Sequence, residues 1–249
     1  MPIAVTNWMP GRQTSSALQV SLLGLADLSA VLALQERITA ELADRRDVYG
    51  VLLLCEHPTG VTFGREGSAA DLQVDRHELI ARGVPVEWLR RGGGAWAHHS
   101  GQLMAYLLIP YRRLGINAVE LRDRLAMSLV AVAREFGVHA DPSEAPSGAH
   151  GRCGQFGFAG AAVCDGISQF GGCLNVSVPR AALRLVRWGE SVRPASLAAE
   201  RMRATSMSAV RESWMRHLAA LFGYDRYHMW TGHPWLHRTV RRGFAFVET

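Results

Sequence analysis

The sequence contains no lysine. All of its positive charge, 27 residues against 22 acidic ones, is arginine. That excludes a mechanism built on a lysine ammonium, or on a lysine with its pKa lowered for general-base work. Cysteine is scarce, and Cys55, Cys153, Cys164 and Cys173 form no CxxC pair. Neither a disulfide framework nor a thiolate metal site is indicated. The histidines are scattered, and the adjacent pair His98-His99 points in divergent directions, so neither a metal nor another cofactor is expected. No apolar run reaches bilayer length, which predicts no membrane span. Met1 to Leu18 is mixed and polar and unlike a secretion signal, so the cytoplasm is the expected compartment. The arginines are spread singly. The stretch His237-Arg238-Thr239-Val240-Arg241-Arg242 is short and matches no nucleic-acid motif, so no nucleic-acid partner is expected.

What is present suits a globular chain with a sizeable core: 249 residues, 48% hydrophobic and 20% charged. Leu28, Val31, Leu32, Ile38 and Leu42 share one helical face, and Asp27 or Ser29 can cap that helix. Val51-Leu52-Leu53-Leu54-Cys55 reads as a buried strand. Leu121, Leu125, Leu129, Val132 and Phe136 form a second amphipathic helix with Gly137 as its stop, and Val210, Trp214, Leu218 and Leu221 a third. Asp141 to Ser147 reads as a loop. Gly148 to Val178 is glycine-rich and alternating, a hairpin with close backbone approach.

One stretch organises the rest. Between the strands Val86–Leu89 and Leu103–Ile109 lies Arg90-Arg91-Gly92-Gly93-Gly94-Ala95-Trp96-Ala97-His98-His99-Ser100-Gly101-Gln102. Glycines let backbone approach a ligand closely, and the fork of donors on Arg91 suits a carboxylate or a carbonyl-rich chain. A loop of this kind reads as one wall of a small-molecule site.

Arg91-Gly92-Gly93, His98 and Gly101-Gln102-Leu103 resemble the signature loop of bacterial octanoyltransferases, members of the biotin/lipoate ligase superfamily. There the loop runs Arg-Gly-Gly-x-x-Thr-x-His-Gly-Pro-Gly-Gln-Leu; here Trp96 stands for the threonine and His99-Ser100 for Gly-Pro. Glu56-His57-Pro58 to Gly64 is similar to the family's pocket-entrance segment, with Pro58 one place early, and His57 reads as a structural histidine. Leu174-Asn175-Val176 is similar to its Leu-Asn-Val strand. Counted back without gaps, Gln155 falls on the family's lysine, Gly160 on a glycine, and Phe170 on a histidine. Trp188-Gly189-Glu190 falls on Pro-Cys-Gly, which puts Gly189 at the nucleophilic cysteine. The resemblance spans about residues 20 to 222.

It implies an α+β fold, a mixed β-sheet flanked by helices like the catalytic domain of biotin/lipoate ligases. The catalytic-type domain is expected over residues 1–223, with an extension over 224–249 that folds back across the sheet or covers a neighbouring subunit. It implies as ligand an octanoyl or lipoyl group, and as partners acyl carrier protein and lipoyl domains. The implied substrate-binding residues are Arg91, Gly92, Gly93, His98, Gly101, Gln102, Gln155, Phe156, Gly160 and Asn175. Phe156, Phe158 and Leu103 are expected to line an acyl tunnel that Trp96 and Phe170 narrow or fill. Eight buried methylenes at about 0.8 kcal/mol each would give roughly 6 kcal/mol before entropic costs.

In the family a cysteine takes the octanoyl group from its carrier and a lysine moves protons. A glycine side chain cannot be acylated, and a glutamine has no useful pKa. Three outcomes stay open: transfer by altered residues, with Cys153 as a displaced nucleophile and His98 as its base; a non-catalytic relative that binds an acyl group or a partner; or an ATP-dependent ligase, which the absent pocket lysine disfavours.

Overall fold

The computed structural model describes residues 17–189 and 191–236. Its centre is a mixed sheet of eight strands: β1 (Ala17–Leu25), β2 (Gly50–Glu56), β6 (Gln102–Leu108), β7 (Asp141–Glu144), β8 (Ser147–His150), β9 (Gln155–Cys164), β10 (Ile167–Asn175) and β11 (Arg226–Thr231). Their order across the sheet is β11-β1-β2-β6-β10-β9-β8-β7. β1 runs parallel to β2 and to β11, and the other neighbours are antiparallel. A second sheet of three strands holds β3 (Gly60–Phe63) between β4 (Val86–Trp88) and β5 (Ala95–His98).

Two cores follow from the two faces of the large sheet. On one, α3 (Ala118–Glu135) and α6 (Met207–Leu221) cover Leu18, Leu52, Leu103, Phe156 and Leu174. On the other lie α1 (Leu28–Asp44), the small sheet and the short α4 (Arg180–Leu183), over Leu53, Met104, Tyr106, Phe158 and Cys173. Two short helices, α2 (Arg76–Ala81) and α5 (Leu197–Arg201), sit at the margins. β2 and β6 are buried almost throughout, as their continuous apolar runs require. Asn117 starts α3 with a capping box closed by Glu120, and Gly137 lies just past its end. α1 buries Val31, Leu34, Gln35, Ile38, Thr39 and Leu42, so its inner face carries two polar residues that hydropathy alone does not reveal. Among the described residues no helix is long and apolar enough to cross a membrane.

Three segments differ from the sequence expectation. The glycine loop is not one connection between two strands, because Ala95–His98 is a buried strand paired with β3. Asp141 to Ser147 is not a loop but contributes β7 and the start of β8. Within Tyr224 to Leu236 the chain adds β11 at the sheet edge beside β1 rather than lying across its face, and Trp235 packs on the second core under the Arg37 guanidinium. Residues 237–249, which include the arginine-rich end, and residues 1–16 lie outside the described residues.

Candidate functional site

Four of the motif residues meet in one buried chain of hydrogen bonds. The Arg91 guanidinium donates to the Thr62 carbonyl (3.0 Å), to Thr62 Oγ1 (2.9 Å) and to the Gly92 carbonyl (3.0 Å). Thr62 Oγ1 lies 2.9 Å from His98 Nε2, and His98 Nδ1 lies 2.9 Å from Gln102 Oε1. The Gln102 amide nitrogen donates to the Ala97 carbonyl and to Asn175 Oδ1. That fixes its oxygen as the acceptor for a proton on His98 Nδ1, which leaves Nε2 to accept from Thr62. Asn175 in turn donates to the Ala195 carbonyl (3.1 Å). The Ala195 amide donates to the Gln155 carbonyl (2.8 Å). A line of polar groups thus runs from the small sheet through β6 and β10 to β9. Gly101 supports it from the side, its amide on Glu56 Oε2 and its carbonyl accepting from Val176 and Ser177.

Burial sets the charge states. His98 is held well below the usual imidazole range, first by burial and then by the nearby His57 and Arg91. His57, whose Nδ1 faces the Ala26 carbonyl and whose Nε2 faces the Tyr106 hydroxyl at 2.7 Å, is pushed down to about 4 by burial. Arg91 is pushed down to about 9 for the same reason. No carboxylate bonds it; its guanidinium stacks 3.7 Å over the Trp96 ring, and its Nε has no partner.

The glycine loop seals directly onto β9. The Gly92 amide donates to the Ala161 carbonyl (3.0 Å), and the Gly93 amide to Glu66 Oε1. A Cβ on Gly160 would stand 2.6 Å from the Gly92 carbonyl oxygen and 2.9 Å from Trp96 Cη2, so only glycine lets the indole lie there. Arg91, Trp96, His98, Tyr106 and Phe170 wall a void of about 10 Å³. That is at or below the ~10–15 Å³ that one water needs. Two larger clefts lie outside it, one of about 320 Å³ lined by Gly92, Gly93, Pro146 and Gly160, the other of about 440 Å³ lined by His57 and His98.

The expected tunnel lining is therefore corrected. A register shift in the β8–β9 pairing re-aims Phe156 relative to Phe158. Phe156 and Leu103 join the core under α3 and α6, whereas Phe158 lies on the opposite face against Trp188, ring centroids 4.4 Å apart.

Gln155 and Gly189 meet at Pro146. Gln155 Nε2 donates to the Pro146 carbonyl (2.9 Å) and to the Gly157 carbonyl (3.1 Å). A Cβ on Gly189 would lie 3.4 Å from Pro146 Cδ. Cys153 points elsewhere: its sulfur is 3.7 Å from the Ala199 carbonyl oxygen, and its amide, like that of Gly154, donates to Glu200 Oε1. His98 has both ring nitrogens engaged in the buried chain. Among the described residues no cluster of three or more His, Cys, Asp or Glu side chains could hold a metal. Sequence reasoning missed Thr62, Pro146, Gln35 and Glu200. Only Gln35 and Thr62 left a signal, as polar residues at positions with core periodicity.

A large mixed sheet under helices, with a glycine loop sealed on a long hairpin, is the architecture of lipoate–protein ligase catalytic domains. The bi-partite lipoate protein ligase of Thermoplasma acidophilum, from a structural analysis of that ligase and its E2 lipoyl domain, superposes with a TM-score of 0.70 at 18% identity, covering 88% of this chain and 89% of that one. The chain belongs to the lipoyl protein ligase A/B catalytic domain family, whose sequence model matches residues 27–219. It is similar to the octanoyltransferase of Pseudomonas putida (strain W619), 32% identical over 66% of this chain and 73% of the relative. It is also similar to the octanoyltransferase of Roseiflexus sp. (strain RS-1), 30% identical over 82% of this chain and 86% of the relative.

Proposed function

We propose that this chain is a non-catalytic member of its family, one that engages a lipoyl domain or an acyl carrier protein in the cytoplasm without moving the acyl group between them. The observation that carries the reading is the corner at Pro146. The two positions the family fills with lysine and cysteine come together there, as an amide bonded to two carbonyls and as a glycine. Transfer needs a sulfur to displace the carrier's thiol and form a new thioester, then a second displacement by a lysine amine. Among the described residues no sulfur stands at Pro146 to open that sequence. Elsewhere, burial pushes the Cys55 and Cys173 thiols up, and burial and Asp165 push up Cys164. A thiol held protonated is a poor nucleophile.

The test is direct. The protein is incubated with octanoyl-acyl carrier protein and an apo lipoyl domain, both proteins are followed by intact mass, and lipoyl-domain binding is measured by calorimetry. The expected result is binding with neither an acyl-enzyme nor an octanoylated domain. Product that disappears in Cys153→Ala would establish the altered-residue transferase instead. Absence of both product and binding would remove the partner half of the proposal.

A further inference from the structure

Phe170 has an unusual backbone. It lies inside β10 with φ +57, in the left-handed region that crowds any side chain bearing a Cβ and that a bulky residue rarely adopts. Such a conformation persists only where its surroundings hold it. Here α1 supplies the hold. The Phe170 amide donates to Oε1 of the buried Gln35 at 2.7 Å, and the Gln169 side-chain amide donates to Thr39 Oγ1 at 3.1 Å. Gln35 and Thr39 lie one turn apart on the inner face of the helix. Together they fix the strand in the bend that sends the Phe170 ring into the core, 6.3 Å from the Tyr106 ring.

That ring helps wall the small void, which shares Leu28 and His98 with the 440 Å³ cleft. Trp96, another wall of the void, packs against Gly160, which lines the 320 Å³ cleft. Trp96 is pinned under Arg91 and against Gly160, whereas Phe170 is held in place through a strained backbone.

We infer that Phe170, latched by Gln35, is the specificity-determining residue of this pocket: it decides that a medium-length acyl chain is excluded. The inference rests on the reading of the chain as a non-catalytic member of its family, and it separates two losses. The missing cysteine and lysine remove transfer. The phenylalanine removes binding of the acyl group.

Glycine at position 170 both empties the space and suits the backbone. Phe170→Gly and Phe170→Ala are compared with the unchanged protein by calorimetric titration with octanoic acid, with tryptophan fluorescence as a second readout and thermal melting as the fold control. The unchanged protein is expected to show no binding, and Phe170→Gly to bind at least tenfold more tightly than any residual affinity of the parent. Phe170→Gly should also melt above Phe170→Ala, because only the former is relieved of the left-handed strain. Folded variants that fail to bind octanoic acid would overturn the inference and leave the non-catalytic reading standing, as would an unchanged protein that binds octanoic acid as tightly as they do. An octanoyl adduct formed by Phe170→Gly from octanoyl-acyl carrier protein would do the opposite, removing the non-catalytic reading while the role of Phe170 holds.

Discussion

The chain of hydrogen bonds from Arg91 to Asn175 and the corner at Pro146 are joined through Ala195, yet they differ in kind. In the first, residues that match the family motif stand in an interior where almost every polar atom has a partner. In the second, the residues that the resemblance sets at the reactive positions are a glutamine turned onto main-chain carbonyls and a glycine. Arg91, His98, Gln102 and Asn175 do structural work here, because their bonds tie the small sheet to β6, β10 and β9. On the proposed reading such a motif persists for what it holds together, and a matching motif is weak evidence of activity.

If that is right, the largest effect belongs to Gln102. Gln102→Leu keeps the volume but leaves His98 Nδ1, the Ala97 carbonyl and Asn175 Oδ1 unpaired in the interior. At about 1–3 kcal/mol for each stranded group, the loss is roughly 3–9 kcal/mol, or on the order of 10–20 °C in melting temperature for a chain of this size. Arg91→Met should cost less, although it also removes three hydrogen bonds. Burying an uncompensated guanidinium is itself unfavourable, as its lowered pKa of about 9 records, and methionine relieves that. Urea unfolding of the two variants side by side tests the order. A mild Gln102→Leu would mean that the chain is not what holds the strands.

Acid should attack the same region. His57 is neutral in the fold with its pKa near 4, against about 6.5 in an unfolded chain. Between those values the unfolded state binds the extra proton, so stability is full above about pH 6.5 and falls as the pH drops towards 4. The shift corresponds to about 3 kcal/mol for His57 alone, and His98 adds to it in the same direction. Urea midpoints from pH 7 to pH 4 should decline accordingly, and His57→Asn should flatten part of the slope. An unchanged midpoint over that range would place both imidazoles in contact with water.

Much of this was legible beforehand because it rests on periodicity. The runs in β2 and β6 and the faces of α3 and α6 are written in residue spacing, and Leu174-Asn175-Val176 anchors the hairpin. The misses share a different cause. Ala95–His98 is too short, and too rich in alanine and histidine, to read as a strand; it becomes one because β3 lies beside it. Phe156 and Phe158 are spaced to face the same way, and a register shift that no pattern announces separates them. Every residue of Arg226–Thr231 is exposed, so the strand carries no burial signature, and it pairs along the edge of β1. The site divides likewise. The counting that set Gln155 and Gly189 on the reactive positions needed only the order of residues, whereas their meeting at Pro146 needed the fold.

A smaller effect is expected at the loop that carries Cys153. Glu200→Ala removes the shared acceptor of the Cys153 and Gly154 amides. The carboxylate is partly exposed, so the loss should be about 1 kcal/mol, below the range for a buried charged acceptor. The loosened loop should also let iodoacetamide reach Cys153 several-fold faster, followed by intact mass. Unchanged alkylation would show that the thiol is already free, and would return it to consideration as a nucleophile.

The sharpest comparison is the one expected to give nothing. Restoring both reactive residues, Gln155→Lys with Gly189→Cys, puts an amine and a sulfur back at Pro146. The cysteine must then adopt φ +149 with its Cβ 3.0 Å from Val192 Cγ2, a conformation that L side chains rarely take. The lysine enters where Gln155 now meets the Pro146 and Gly157 carbonyls, and these favour the charged ammonium over the neutral amine that must accept a proton. No acyl-enzyme is therefore expected from octanoyl-acyl carrier protein by intact mass. If the double variant does acylate, the corner has kept its geometry and lost only two side chains, and the contrast with the Arg91–Asn175 chain shrinks to a matter of two residues.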